Sequence, residues 1–344
     1  MKVYWDGLVE QNELIRWEVE MGSLACIKKV FITLSVILCI AMVSTSMAAE
    51  DGALNYIPGA PGSVLGEFPP IPGLFVIAQT SYTSSDALYD HHGDEIKDLD
   101  FNLDAWAQTF RFLASYPHKV WGANIYSQLV VPMVSVDTSA SVDTHSPAGV
   151  VSLFDEDDRG LGNLTISPII LNWQQAESHQ YFTAGLDIAL EKGASYTKDK
   201  HVNAGTGYST IMPVLAWRYD DPDGLDFGVK ANVMFNMEND YTHYDTGDML
   251  SLEFIGGWNL GKMKVGLIGA YTLQYEDDES NGSEVADSKM KSLVIGPSIA
   301  YSMGPLIINL NYQKGILAEN GPMTDTLWLN IALPLYVPPS ARPK

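Results

Sequence analysis

From Gly73 onward, apolar and polar residues alternate with a period of two, the pattern of strands that present two different faces. In Asp226–Met237, one face carries Phe227, Val229, Ala231, Val233, Phe235 and Met237. The other carries Asp226, Gly228, Lys230, Asn232, Met234 and Asn236. Lys264–Tyr275 sets Val265, Leu267, Gly269, Tyr271, Leu273 and Tyr275 against Lys264, Gly266, Thr272 and Gln274. Leu306–Gln313 and Leu327–Tyr336 repeat the pattern. These runs are 8 to 12 residues long. Soluble strands usually run about 5–6 residues, whereas a strand crossing a bilayer needs roughly 9–11. Aromatic residues gather towards the ends of the runs, as interfacial girdles do.

Twelve strands are expected, centred near Phe75, Thr109, Ser127, Ser167, Leu186, Val214, Ala231, Phe254, Ile268, Ile299, Asn309 and Ile331. Their connections alternate strictly in length. The tight ones are Tyr116–Lys119, Gln174–His179, Asp220–Gly224, Asn259–Lys262 and Ser302–Pro305. The long polar ones are Ser84–Asp98, Asp137–Gly160, Lys192–Gly207, Glu238–Gly247, Asp277–Lys289 and Leu317–Thr324. A soluble sandwich has no reason to sort its loops this way. The fold class expected is therefore all-β, a transmembrane antiparallel up-and-down barrel of about 12 strands, with short periplasmic turns, long external loops and both ends of the barrel inside. One strand fits badly. In Leu99–Tyr116 the odd positions begin apolar, but Phe110 and Phe112 fall on the even face, and Arg111 points at lipid unless a bulge resets the phase.

The first residues add an export context. Met21–Ala48 carries Lys28 and Lys29, an apolar stretch from Val30 to Val43, and small residues at Ser46 and Ala48. That is a signal peptide, since 14 apolar residues are short for a spanning helix. Residues 1–20 hold five acids and two bases, wrong for the basic start of such a leader, and read as a start assigned too early. Residues 49–72 are rich in Pro and Gly and lack a period, which suggests a periplasmic arm or small plug. The barrel spans 73–336, and 337–344 form a tail. Localisation in the outer membrane of a Gram-negative bacterium follows.

Composition narrows the chemistry. Both cysteines, Cys26 and Cys39, precede the mature chain, so no disulfide framework or catalytic thiol is expected there. A net charge of −22 argues against nucleic acid, whose phosphates need clustered Lys and Arg. The expected partners are outer-membrane lipid, lipopolysaccharide and a small-molecule solute. No cofactor, metal or enzymatic activity is expected. His91–Glu95 and Asp155–Asp158 read as solvated loops, and Asp220–Gly224 as a hairpin turn. Ser195–Lys198 matches Ser-x-x-Lys, but in a polar loop where the motif needs a helix.

The strand phase places Asn124, Gln128, Asp187, Arg218, Lys230, Asn232, Asn236, Glu253, Lys264, Gln274, Asn309, Asn311 and Asn330 in the lumen. This mixed, amide-rich set suits a wet interior and makes these residues candidates for a solute path. The competing readings are an interior filled by its own hydrogen-bonded side chains, in a structural or surface-interaction barrel with acidic cation-binding loops, and an outer-membrane lipid hydrolase.

Specific segments also resemble a known family. They are Asn55-Tyr56-Ile57-Pro58-Gly59, Pro69-Pro70-Ile71-Pro72-Gly73, Gly160–Pro168 and Tyr244-Asp245-Thr246-Gly247-Asp248. In that order and spacing the chain resembles the outer-membrane barrels named for the meta-pathway of phenol degradation. The family usually shows an acidic residue where Asn163 stands. The resemblance implies a β-barrel and passive uptake of small hydrophobic or aromatic compounds, and it brings no catalytic residues.

Overall fold

A computed structural model describes residues 50–62, 65–143 and 149–341. The expected signal peptide and early start lie outside the described residues. Twelve long strands make the wall: β1 (Gly73–Ser85), β2 (Leu99–Val120), β3 (Ala123–Asp143), β4 (Leu164–Gln175), β5 (Gln180–Leu190) and β6 (Thr210–Asp220). They continue as β7 (Leu225–Asn236), β8 (Met249–Leu260), β9 (Met263–Gln274), β10 (Lys291–Met303), β11 (Leu306–Glu319) and β12 (Asp325–Tyr336). Each pairs antiparallel with its neighbours in sequence, and β1 pairs with β12, so the sheet closes into a barrel. Closure is a requirement in a bilayer, where an open edge would leave backbone N–H and C=O groups without partners.

Alternation does the rest. In β7, Asp226, Gly228, Lys230, Asn232 and Met234 are buried, while Phe227, Val229 and Phe235 are exposed on the outside. The outer surface carries Trp106, Leu215, Trp258, Leu267, Ile299, Leu310, Leu327 and Leu329. An apolar band of this kind is unsuited to water and suited to lipid. The short and long connections alternate around the ring as expected, so the long loops mark the external end.

Three details differ from the expectation. The β2–β3 turn is not at Tyr116–Lys119. Both strands run on to Val120 and Ala123, and Trp121-Gly122 make the turn with positive φ at both positions. Pro117 therefore sits in the strand, beside a register shift between Ser115 and Lys119 that removes its missing donor from the ladder. Most of the Asp137–Gly160 loop is also strand. β3 extends to Asp143, and Val150–Leu161 folds back along it beyond the barrel rim. The acidic run Asp155–Asp158 hid this strand. It is held by pairing with β3, by Leu153 and Phe154 packing near Leu88, Phe101 and Val142, and by Lys200 on Asp158 at 2.9 Å.

The third correction concerns β2. Its pairing runs without a shift from Leu103 to Ser115 against β1, and from Leu99 to Ser115 against β3. No bulge resets the phase between Leu99 and Ser115, and over that stretch odd positions point inward. Leu99 and Phe101 are apolar because they join a cluster with Leu88, Ala140 and Val142 under the external loops. Phe110, Phe112 and the exposed Trp106 face lipid, and Arg111 faces the lumen.

The phase is testable. Val229→Arg, on the lipid face in the middle of β7, is expected to destabilise the barrel by about 2–4 kcal/mol in vesicle unfolding. Glu284→Arg, on an external loop, should change stability by less than about 0.5 kcal/mol. Equal effects would contradict the assigned faces.

Candidate functional site

Residues 50–62 and 65–72 lie inside the barrel, from the external mouth to the periplasmic end, where the latter feed into β1. At the external end the Glu50 carboxylate accepts from Asn239 Nδ2 (2.6 Å) and Tyr196 OH (3.4 Å), and Tyr208 OH donates to the Ala53 carbonyl (2.8 Å). Burial pushes the Glu50 carboxyl above the usual carboxylate range, while its hydrogen bonds with Asn239 and Tyr196 pull it down. Burial likewise raises the Tyr208 phenol. For an acid with a raised value, the stabilising contribution is complete below its ordinary pKa and is lost as pH rises through the raised one. The Glu50 anchor is therefore firmest in acid. Just below it, Asn55 Nδ2 donates to Thr210 Oγ1 (2.7 Å), and Leu54 and Tyr56 pack on Ala189, Met212, Met234 and Met249.

At mid-depth, Lys230 Nζ donates to Tyr56 OH (2.6 Å) and to Glu253 Oε1 (3.2 Å), while Tyr56 OH bonds the same Glu253 oxygen. Asn232 Nδ2 adds a third donor to that oxygen at 2.9 Å. The segment then crosses to the opposite wall. Gln313 Nε2 donates to the Gly59 carbonyl (3.0 Å) and Gln79 Nε2 to the Ala60 carbonyl (2.7 Å). Gly62 comes so close that a Cβ there would lie 2.6 Å from Asn309 Oδ1, and its φ of +56° favours glycine besides.

The periplasmic half is held by charge. Arg218, fully buried on β6, donates through Nε and Nη2 to the two oxygens of Asp226 (2.9 and 2.8 Å) and through Nη1 to the Leu65 carbonyl (2.9 Å). Glu67 of the segment lies 3.4 Å from Arg218 and 3.3 Å from Lys264. Lys264 also bonds Asp220 at 2.9 Å. Nearer the mouth, Phe68 packs on Tyr126 at 4.9 Å, and Tyr126 OH donates to the Pro69 carbonyl.

Between segment and wall remains a cavity of about 730 Å³. Phe68, Ile77, Leu113, Ile170 and Val214 give it apolar walls, and it reaches the Ser302–Pro305 turn and the end of β12 at the periplasmic side. Its inner end is polar, with Arg111, Gln128, Asp187 and Lys230.

The thirteen sequence candidates separate accordingly. Gln128, Asp187 and Lys230 border the cavity. Arg218 and Lys264 bind the segment, and Asn232 and Glu253 belong to the Tyr56 network. Asn309, Asn311 and Asn330 form an amide ladder in which Asn309 Oδ1 accepts from both others (2.9 and 3.1 Å). At the external end Asn236 donates to the Gly247 carbonyl and Gln274 to Asp278. Asn124 stands half-buried near the periplasmic turn, paired with Lys119 and Asn172. Sequence reasoning missed Arg111, lost with the phase of β2. It also missed Tyr56 and Glu67, the polar anchors of the arm, whose place among Pro and Gly residues was the available signal.

Closed strands, an apolar outer band and a filled polar interior define an outer-membrane β-barrel. The chain belongs to the family described as "Putative MetA-pathway of phenol degradation", whose model matches residues 85–331. The barrel is similar to the crystal structure of the COG4313 outer membrane channel from Pseudomonas putida F1. That likeness has a TM-score of 0.67 at 17% identity, over 79% of this chain and 98% of that one. Weaker likenesses reach the β domain of the Bordetella autotransporter BrkA (TM-score 0.43, 10% identity, 77% and 100% covered) and a TodX monoaromatic hydrocarbon channel mutant (0.39, 12%, 84% and 94%). No curated protein matches the chain in sequence.

Removing Arg218 would leave the buried Asp226 carboxylate without both of its guanidinium hydrogen bonds. Arg218→Met is therefore expected to cost about 3–5 kcal/mol in denaturant unfolding, with Asp226→Asn in the same chain restoring part of it. A loss below about 1 kcal/mol, as for an exposed ion pair, would contradict the role given to Arg218.

Proposed function

We propose that the protein is a channel through which small, largely apolar or aromatic compounds pass passively into the periplasm. The observation that carries this reading is the cavity between segment and wall, apolar along its sides and continuous to the periplasmic end. Ligand pockets are commonly of this size and lining, with a few placed polar groups. Family membership and the likeness to an outer-membrane channel support the same reading.

Among the described residues, none lining the cavity belongs to the external end, where Glu50 and Asn55 hold the segment against the loops and β6. Entry therefore requires the outer part of the segment, residues 50–58, to move aside while Arg218 keeps the inner part in place. The polar residues around the segment then serve two purposes. They satisfy its backbone in the resting state, and they offer replacement partners to water when it shifts.

Liposome swelling and single-channel conductance test the proposal. The full chain should pass small solutes slowly, and a variant lacking residues 50–72 should pass them faster and conduct ions more strongly. Impermeability of both forms would contradict the reading.

A further inference from the structure

Arg111 is the least satisfied charge bordering the cavity. A guanidinium offers five N–H donors. Here Nη2 donates to Gln128 Oε1 at 2.9 Å, and the buried Nε has no hydrogen-bond partner among the described residues. No ion pair reaches Arg111 among them either, whereas Lys230, the other cation at this end, is matched by Glu253 at 3.2 Å. An unmatched charge beside apolar walls is unfavourable, and its fork geometry suits the two oxygens of a carboxylate.

The surroundings restrict what such a carboxylate belongs to. Leu113 lies two residues along β2 from Arg111, and Ile170, Phe68 and Ile77 line the space beside it. That is room for a ring or short hydrocarbon body. Asp187 borders the same end, accepts from Ser167 at 2.5 Å and makes no ion pair among the described residues. Its charge disfavours a second anionic group on the same ligand.

We propose that the inner end of the cavity binds small monocarboxylates with an apolar, ring-sized body. The carboxylate sits on Arg111 and the body against Leu113, Ile170 and Phe68. This rests on the reading of the lumen as a solute route and names a substrate class for it. The site then works as a filter within that route, retaining acids at mid-depth where a neutral hydrocarbon meets only the walls.

Titration calorimetry on the full chain in nanodiscs, with benzoate and its neutral isostere benzamide as probes, tests the site. The natural chain should bind benzoate at least about tenfold more tightly than benzamide, the scale of a charge-assisted hydrogen bond. Arg111→Gln, which keeps a polar partner for Gln128, should abolish that preference and leave benzamide affinity unchanged. Arg111→Lys should keep part of it, and Asp187→Asn should strengthen benzoate several-fold. Equal affinity of the natural chain for the two probes, tighter binding of benzamide, or a preference that survives Arg111→Gln would overturn the proposal. Swelling assays with uncharged solutes separate the two readings. Arg111-dependent benzoate binding in an impermeable barrel leaves the site standing and removes the channel. Permeability with no preference for benzoate does the reverse.

Discussion

The interior of this barrel depends on one constraint: a charge buried away from water must be matched where it lies. Arg218 shows the constraint at its strictest. It is completely buried, and desolvating a lone guanidinium would cost several kcal/mol or more. It is tolerated because Asp226 grips it from the wall, Asp220 stands 3.9 Å away, and Glu67 and the Leu65 carbonyl approach from the inner segment. Half of that cage comes from the wall and half from Leu65 and Glu67 of the segment. The wall therefore depends on the segment to complete the surroundings of Arg218, and the described part of the segment, rich in Pro and Gly and built of short turns, is held along its path by donors from the wall.

The same logic sets the shape of the cavity. Gln313, Gln79 and Lys230 are long enough to reach the segment and hold it near their side of the lumen. Leu113, Ile170 and Val214 are apolar and offer the segment no donor; beside them Phe68 packs and space is left. The route proposed for solutes thus follows the apolar stretch of the wall, past the points where Tyr126 and Gln174 donate to the Pro69 and Phe68 carbonyls. Arg111 stands at the border of the two regimes, which accounts for its incomplete set of partners.

Much of the architecture was legible in the chain. The period-two runs of β7, β9, β11 and β12 and the strict sorting of short and long connections define a closed barrel, because lipid outside and water inside impose opposite demands on alternate residues. The errors have a common physical origin. Leu99, Phe101 and Leu103 are apolar because external loops cover them, so local polarity reported the wrong solvent and inverted the phase of β2. Asp155–Asp158 is polar on both faces because that strand stands above the membrane, where alternation has no cause. The lumen-facing positions were readable from phase. Which of them would hold the segment and which would border open space was not, because that depends on tertiary contacts with residues distant in the chain, such as Arg218 with Leu65.

The central claim is that residues 50–58 occupy the external half of the lumen at rest and must leave it for a solute to pass. Cysteines placed at Asn55 and Thr210, whose side chains are hydrogen-bonded at 2.7 Å, test this in native membranes. The account predicts that oxidation joins them readily, that swelling by small solutes then falls to the level of empty vesicles, and that reduction restores it. Failure of the pair to join, or efficient joining with undiminished permeability, would contradict it.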